Sequence, residues 1–184
     1  IYYQQGEFAL ATDYAELAFK QDNKLPSNHI TAISSYLALG NTNRAEQWVN
    51  AAFDNKVTSM ELVRLAGILA YQQERFEEAI EALSCYLNHH PSSFDVLGMR
   101  ARAKARLKRH EELESDLKQL LVLEPHDEWS LEQLFLCYFQ TQRWADAQTV
   151  MAALNKLAMH YKLTYREQLN EIQKNLSVDI VELD

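Results

Sequence analysis

The chain has 184 residues, 47% of them apolar, which is enough for a domain with a real core and too apolar for a disordered or fibrous chain. Four Gly and three Pro leave little turn chemistry, which disfavours a sheet of many hairpins and favours helices with short connections. A net charge of −8 argues against broad nucleic-acid binding, and no apolar stretch approaches the ~20 residues that span a bilayer, so no direct membrane insertion is expected.

A chain that opens on Ile1 and not Met is expected to be a piece of a longer one, and it carries no visible signal peptide or lipidation motif. Ile1, Tyr2 and Tyr3 read as the end of a helix. Apolar periodicity then predicts helices over 8–21, 27–39, 42–54, 59–72, 76–88, 93–107, 110–123, 128–141 and 144–157. The polar stretch at 163–176 reads as a closing helix. The tail Ser177–Asp184 carries three acids and no cation and is expected to fray.

These helices repeat. Phe76 and Ala79 are followed by Pro91, twelve residues after the alanine. Steps of 34 from Ala79 give Ala11, Ala45, Leu113 and Ala147 without a gap. The column four residues on holds Ala15, Val49, Leu83, Leu117 and Met151; the one seven on holds Ala18, Ala52, Tyr86, Leu120 and Leu154. All three columns share one helical face.

On these residues the chain resembles tetratricopeptide (TPR) repeats, whose pattern runs W-x2-L-G-x2-Y, A-x3-F-x2-A and then P. Residues 60–93 match best, with Gly67, Ala79, Leu83, Tyr86 and Pro91; 26–59 keeps Tyr36, Gly40 and Ala45. Residues 94–127 keep Ala101, Leu117, Leu120 and Pro125, but put Lys104 where an aromatic is usual and Leu113 where Ala is usual. Residues 128–161 keep Tyr138, Trp144 and Ala147 and lack the proline.

The resemblance implies an all-α, right-handed superhelical solenoid of stacked antiparallel helix pairs. Residues 1–176 would form one domain: a partial repeat 1–25, repeats 26–59, 60–93, 94–127 and 128–161, and a capping helix at about 162–176, with an acidic tail at 177–184. Stability would come from nearest-neighbour interfaces.

The resemblance also implies a function, that of a non-catalytic interaction scaffold binding a peptide or partner helix in a concave groove lined by the first helices. Carried over position by position, the groove presents Arg64, Ile68, Tyr71, Arg102, Arg106, Trp129 and Phe139, a mixture of aromatics and arginines of the kind enriched at binding hot spots. The lysine, arginine and asparagine pattern with which some TPR co-chaperones clamp acidic chaperone tails is absent: the corresponding pairs are Ile30/Ser34, Arg64/Ile68, Gly98/Arg102 and Glu132/Leu136. The alternative is a structural or oligomerisation segment of a longer protein, packing on a catalytic, regulatory or membrane-anchored domain, or forming a homodimer through an uncapped N-terminal face.

Other candidate chemistry is weaker. Cys85 and His89 share a helical face, with His90 beside them, but no second ligand pair stands at zinc spacing, so no metal or other cofactor is expected. Cys85 and Cys137 form no CxxC and read as reduced, buried thiols, which favours the cytoplasm. The run 100–110 has six cations, but acids follow in the next helix, so a solvated, internally paired surface is expected ahead of nucleic-acid contact. No nucleotide-binding, metalloprotease or nucleophile-elbow motif is present, and the chain reads as a non-enzyme.

Overall fold

The structure, a computed structural model, describes residues 1–157 and 161–181, and side chains as far as residue 176. A 3₁₀ turn (Tyr3–Gln5) precedes helices α1 (Phe8–Gln21), α2 (Pro26–Ala38), α3 (Thr42–Asp54), α4 (Met60–Gln72), α5 (Phe76–Leu87), α6 (Phe94–Arg106), α7 (His110–Leu123), α8 (Glu128–Gln140), α9 (Trp144–Leu157), α10 (Tyr161–Thr164) and α11 (Arg166–Val181). The described residues contain no strand.

The turn inside each helix pair is written in the backbone. Gly6, Gly40, Glu74, Lys108 and Gln142 stand 34 residues apart, and all have positive φ, between 56° and 79°. The next residue's N–H reaches back five positions in every case: Glu7 to Tyr2, Asn41 to Tyr36, Arg75 to Ala70, Arg109 to Lys104 and Arg143 to Tyr138. This is a left-handed C-cap closing one helix before the next begins. Only two of the five positions are Gly, so the geometry recurs where the sequence signal does not.

Two compact units divide between Ala103 and Lys104. In the first, α2 packs on α1, α3 and α4, and α4 on α3 and α5. Its core holds Ala32, Ile33, Ala45, Leu65, Leu69, Ala79 and Leu83. Phe19, His29 and Trp48 meet edge-to-face with centroids 4.9–5.6 Å apart, and His29 Nε2 bonds the Asn23 carbonyl at 2.8 Å. Gly67 lies against α5: a Cβ there would lie 2.7 Å from Leu83 Cδ2 and 2.9 Å from its Cγ.

In the second unit, α8 packs on α7 and α9, and α9 on α10 and α11. Leu113, Leu117, Leu120, Phe135, Ala147, Met151, Leu154 and Ile172 form its core. Leu113, the departure from Ala in its column, is 1% exposed and part of that core. Lys104, the other departure, is buried with its ammonium on Asp116, so an ion pair fills the aromatic position.

The C-terminal part departs from expectation. Instead of one helix there are two, α10 and α11, and α11 continues to Val181, through residues 177–181 of the expected acidic tail. No Gly or Pro follows Arg166 to stop it. The rest of that tail, 182–184, lies outside the described residues, as do 158–160 of the expected last repeat.

Cys85 also departs: it is exposed, while Cys137 is buried. His89 and His90 sit just past the end of α5 and donate ring N–H groups to the Cys85 and Tyr86 carbonyls, at 3.2 and 3.3 Å. They serve as C-terminal helix partners. Among the described residues no group of three or more His, Cys, Asp or Glu could hold a metal ion, and no helix is long and apolar enough to cross a membrane.

Candidate functional site

A residue and its neighbours three, seven and ten positions on share one helix face. On α4 this face is Glu61, Arg64, Ile68 and Tyr71, and on α8 it is Trp129, Glu132, Leu136 and Phe139. All eight are partly exposed, while Leu62, Leu65 and Leu69 of α4 and Leu131, Leu134 and Phe135 of α8 are buried. Each of these helices therefore turns one face to the core and keeps one open.

On α4, Arg64 is already engaged. Its Nε and Nη2 donate to the two Glu61 oxygens at 2.9 and 2.5 Å, and Asp95 lies 3.9 Å from Nη1. This fork holds the guanidinium pKa above its ordinary value, with the Glu61 hydrogen bond as the largest cause. An incoming carboxylate would have to displace Glu61. Ile68 leans on the core of the first unit, and Tyr71 meets Phe76 edge-on at 5.7 Å. Arg102, on the last part of α6 within this unit, is exposed.

The remaining predicted residues belong to the second unit. Arg106 is exposed and Trp129 is partly exposed. Phe139 lies 6.1 Å from Phe135 and 5.5 Å from Trp144, so much of its ring extends the core. The seven predicted residues thus fall into two groups, four in one unit and three in the other.

Sequence reasoning missed two tyrosines. Tyr165 donates to Glu132 Oε1 at 2.6 Å and packs 5.0 Å from Phe135; Tyr161 donates to Glu128 Oε2 at 3.3 Å. Burial, then the glutamate, raises the Tyr165 phenol well above its usual value. Both tyrosines lie 33 residues beyond their partners, nearly one repeat on. That spacing was the available signal: α10 and the start of α11 stand where another first helix would.

A cleft of about 440 Å³ beside the α8 face is lined by residues including Ala105, His110, Leu113, Leu136, Cys137 and Gln140. His110 Nδ1 is 3.9 Å from Cys137 Sγ, a pairing that could suggest a nucleophile. Burial, and then the charge of Glu114, pushes the Cys137 thiol up to about 11, so it stays protonated and unreactive at neutral pH.

The Bacterial transcriptional activator domain family matches residues 90–160. The TPR repeat-containing protein BH2049 of Halalkalibacterium halodurans is 35% identical over 75 residues, which are 41% of this chain and 33% of that protein, so the match spans about a third of the relative's length. Among solved structures, MamA superposes with a TM-score of 0.76 at 18% identity, over 85% of this chain and 85% of that one. YrrB, described as a TPR protein with an unusual peptide-binding site, gives 0.76 at 12% identity, over 90% and 87%. The chain is an all-helical repeat protein, and its fold is that of the tetratricopeptide-repeat solenoids.

Proposed function

We propose that this chain is a non-catalytic protein-interaction scaffold, with residues 1–176 working as one domain, and that a peptide or partner helix docks along the open faces of its first helices. The observation that carries this reading is the α4 and α8 pattern. The same four repeat positions, 68 residues apart, stay partly exposed on two helices that each bury another face, and they combine aromatic, aliphatic and charged groups. The peptide-binding description of the structurally similar YrrB supports it.

Site-specific photo-crosslinking tests it. A crosslinking side chain at Ile68 or Leu136 is expected to trap partner protein. The same group at Glu81 or Lys118, exposed positions on second helices, is expected to trap none. Equal capture from both sets would overturn the reading.

A second reading, self-association, is favoured by α1. Leu10, Tyr14 and Leu17 follow at helical spacing and are 43%, 53% and 55% exposed, an apolar stripe on a surface helix. Sedimentation velocity decides it: a dimer converted to monomer by Tyr14→Glu with Leu17→Glu supports this reading, and a monomer at all concentrations removes it.

A further inference from the structure

Between α9 and α11 lies a cleft of about 620 Å³ that shares no residue with the first-helix faces. Its volume falls in the range of about 300–1,000 Å³ that holds small ligands and peptide side chains. Met151, Ala152 and Leu169 line it with apolar surface, and Lys156, Lys162 and Arg166 bring three cations. Among the described residues no carboxylate lines it, in a chain with 26 acids and 18 Lys and Arg.

The three cations differ from five others in this structure. Arg64, Arg75, Lys104, Lys118 and Arg143 each sit on a named carboxylate. Lys156, Lys162 and Arg166, all exposed, form no ion pair among the described residues. The acids of α11 do not reach them by register. At ~100° per residue, Glu167 and Glu171 stand roughly 100° and 140° around the helix from Arg166, away from the Leu169–Asn170–Gln173 side that lines the cleft. Asp146, on the first turn of α9, is held by Arg143.

We propose that this cleft docks an acidic peptide segment, with an apolar side chain against Met151 and Leu169 and carboxylates on Lys156, Lys162 and Arg166. It is a second recognition site beyond the first-helix face. Charge complementarity selects this occupant: carboxylates satisfy the three cations, and the apolar floor excludes a purely ionic ligand.

The test uses the full chain and a synthetic peptide of alternating Asp and Leu, followed by fluorescence anisotropy. The wild type is expected to bind it, and to ignore the same peptide with Asn in place of Asp. Lys156→Glu with Arg166→Glu should weaken binding by about tenfold or more, since each lost charge-assisted contact is worth a substantial part of one decade. Both residues are exposed. The milder pair Lys162→Gln with Arg166→Gln must move affinity in the same direction, and a thermal melt confirms folding. Undiminished binding by the variants, equal binding of the Asn peptide, tighter binding of a single-stranded oligonucleotide at the same site, or a wild-type self-association abolished by the charge reversal would each overturn the proposal. The charge-reversed chain should still crosslink partner at Leu136, so failure of the cleft is separable from failure of the first-helix reading.

Discussion

Lys104 Nζ lies 3.0 Å from Asp116 Oδ2, with the two side chains only 9% and 2% exposed. The ammonium also donates to the Glu112 carbonyl at 3.2 Å. In the other repeats the same two positions hold Tyr36 and Trp48, Ala70 and Ala82, and Tyr138 and Val150. One repeat has therefore replaced an apolar pair with a charged one at both positions together. Desolvation offsets most of the attraction within such a pair, while removing one partner strands a buried charge. Asp116→Ala is expected to cost about 3 kcal/mol or more, and Lys104→Met with Asp116→Leu to be neutral or stabilising. Urea midpoints decide it. A double variant as unstable as the single one would show that the charges themselves hold the repeat.

The left-handed turn positions give a prediction of opposite sign. Glu74, Lys108 and Gln142 adopt φ of 60°, 56° and 58°, where an L side chain crowds its own backbone. Gly removes that crowding at some cost in unfolded-state entropy. Lys108→Gly and Gln142→Gly are each expected to raise stability by about 0.5–1 kcal/mol. Gly40→Ala should lower it by about 1 kcal/mol, because Gly40 sits at φ 69°. Melting temperatures that fall for the Gly variants would contradict this.

The helices were legible because the 34-residue columns are also packing columns. Ala45, Ala79 and Ala147 are all 0% exposed, and the boundaries of α1 to α9 fell within a residue of where periodicity put them. Gly67 was readable as a small position, and its near-collision with Leu83 shows why. The end of the chain was less legible. Tyr161 and Tyr165 stand 33 residues from their glutamates, one short of the 34-residue columns, so the columns did not bring them out. The open faces of α4 and α8 followed from register, but the fork that occupies Arg64 did not, since Glu61 at i−3 looks like any surface pair until its geometry is known.

The thiols should separate cleanly. Cys85 is exposed and Cys137 is buried, its pKa raised to about 11 by burial and by Glu114. At neutral pH a thiol reagent is expected to modify Cys85 promptly and Cys137 only on unfolding. Because the folded pKa is raised, the Cys137 contribution to stability is fully present below the ordinary thiol value and lost as pH rises through about 11. Prompt double labelling of the folded chain, read by mass spectrometry, would show that the cleft beside α8 opens far more than its geometry indicates.

Glu114 links consecutive repeats as Glu46 does: Arg143 reaches Glu114 at 2.8 Å, and Arg75 reaches Glu46 at 3.1 Å, each 29 residues on. Lys118 adds a second cation to Glu114 at 2.7 Å, and the Arg143 guanidinium also lies 4.3 Å over the Tyr138 ring. Burial alone would raise the Glu114 carboxyl, but the hydrogen bonds and charges of Lys118 and Arg143 outweigh it, and the net direction is below the ordinary value. A depressed folded pKa contributes stability that is present above the unfolded value, ~4.3, and lost as pH falls through the folded one. Glu114→Gln is expected to cost about 0.5–1 kcal/mol at neutral pH, with the difference from wild type shrinking to nothing under acid conditions and narrowing in high salt. A gap of constant size across the whole pH range would assign Glu114 a packing role in place of this ionic one.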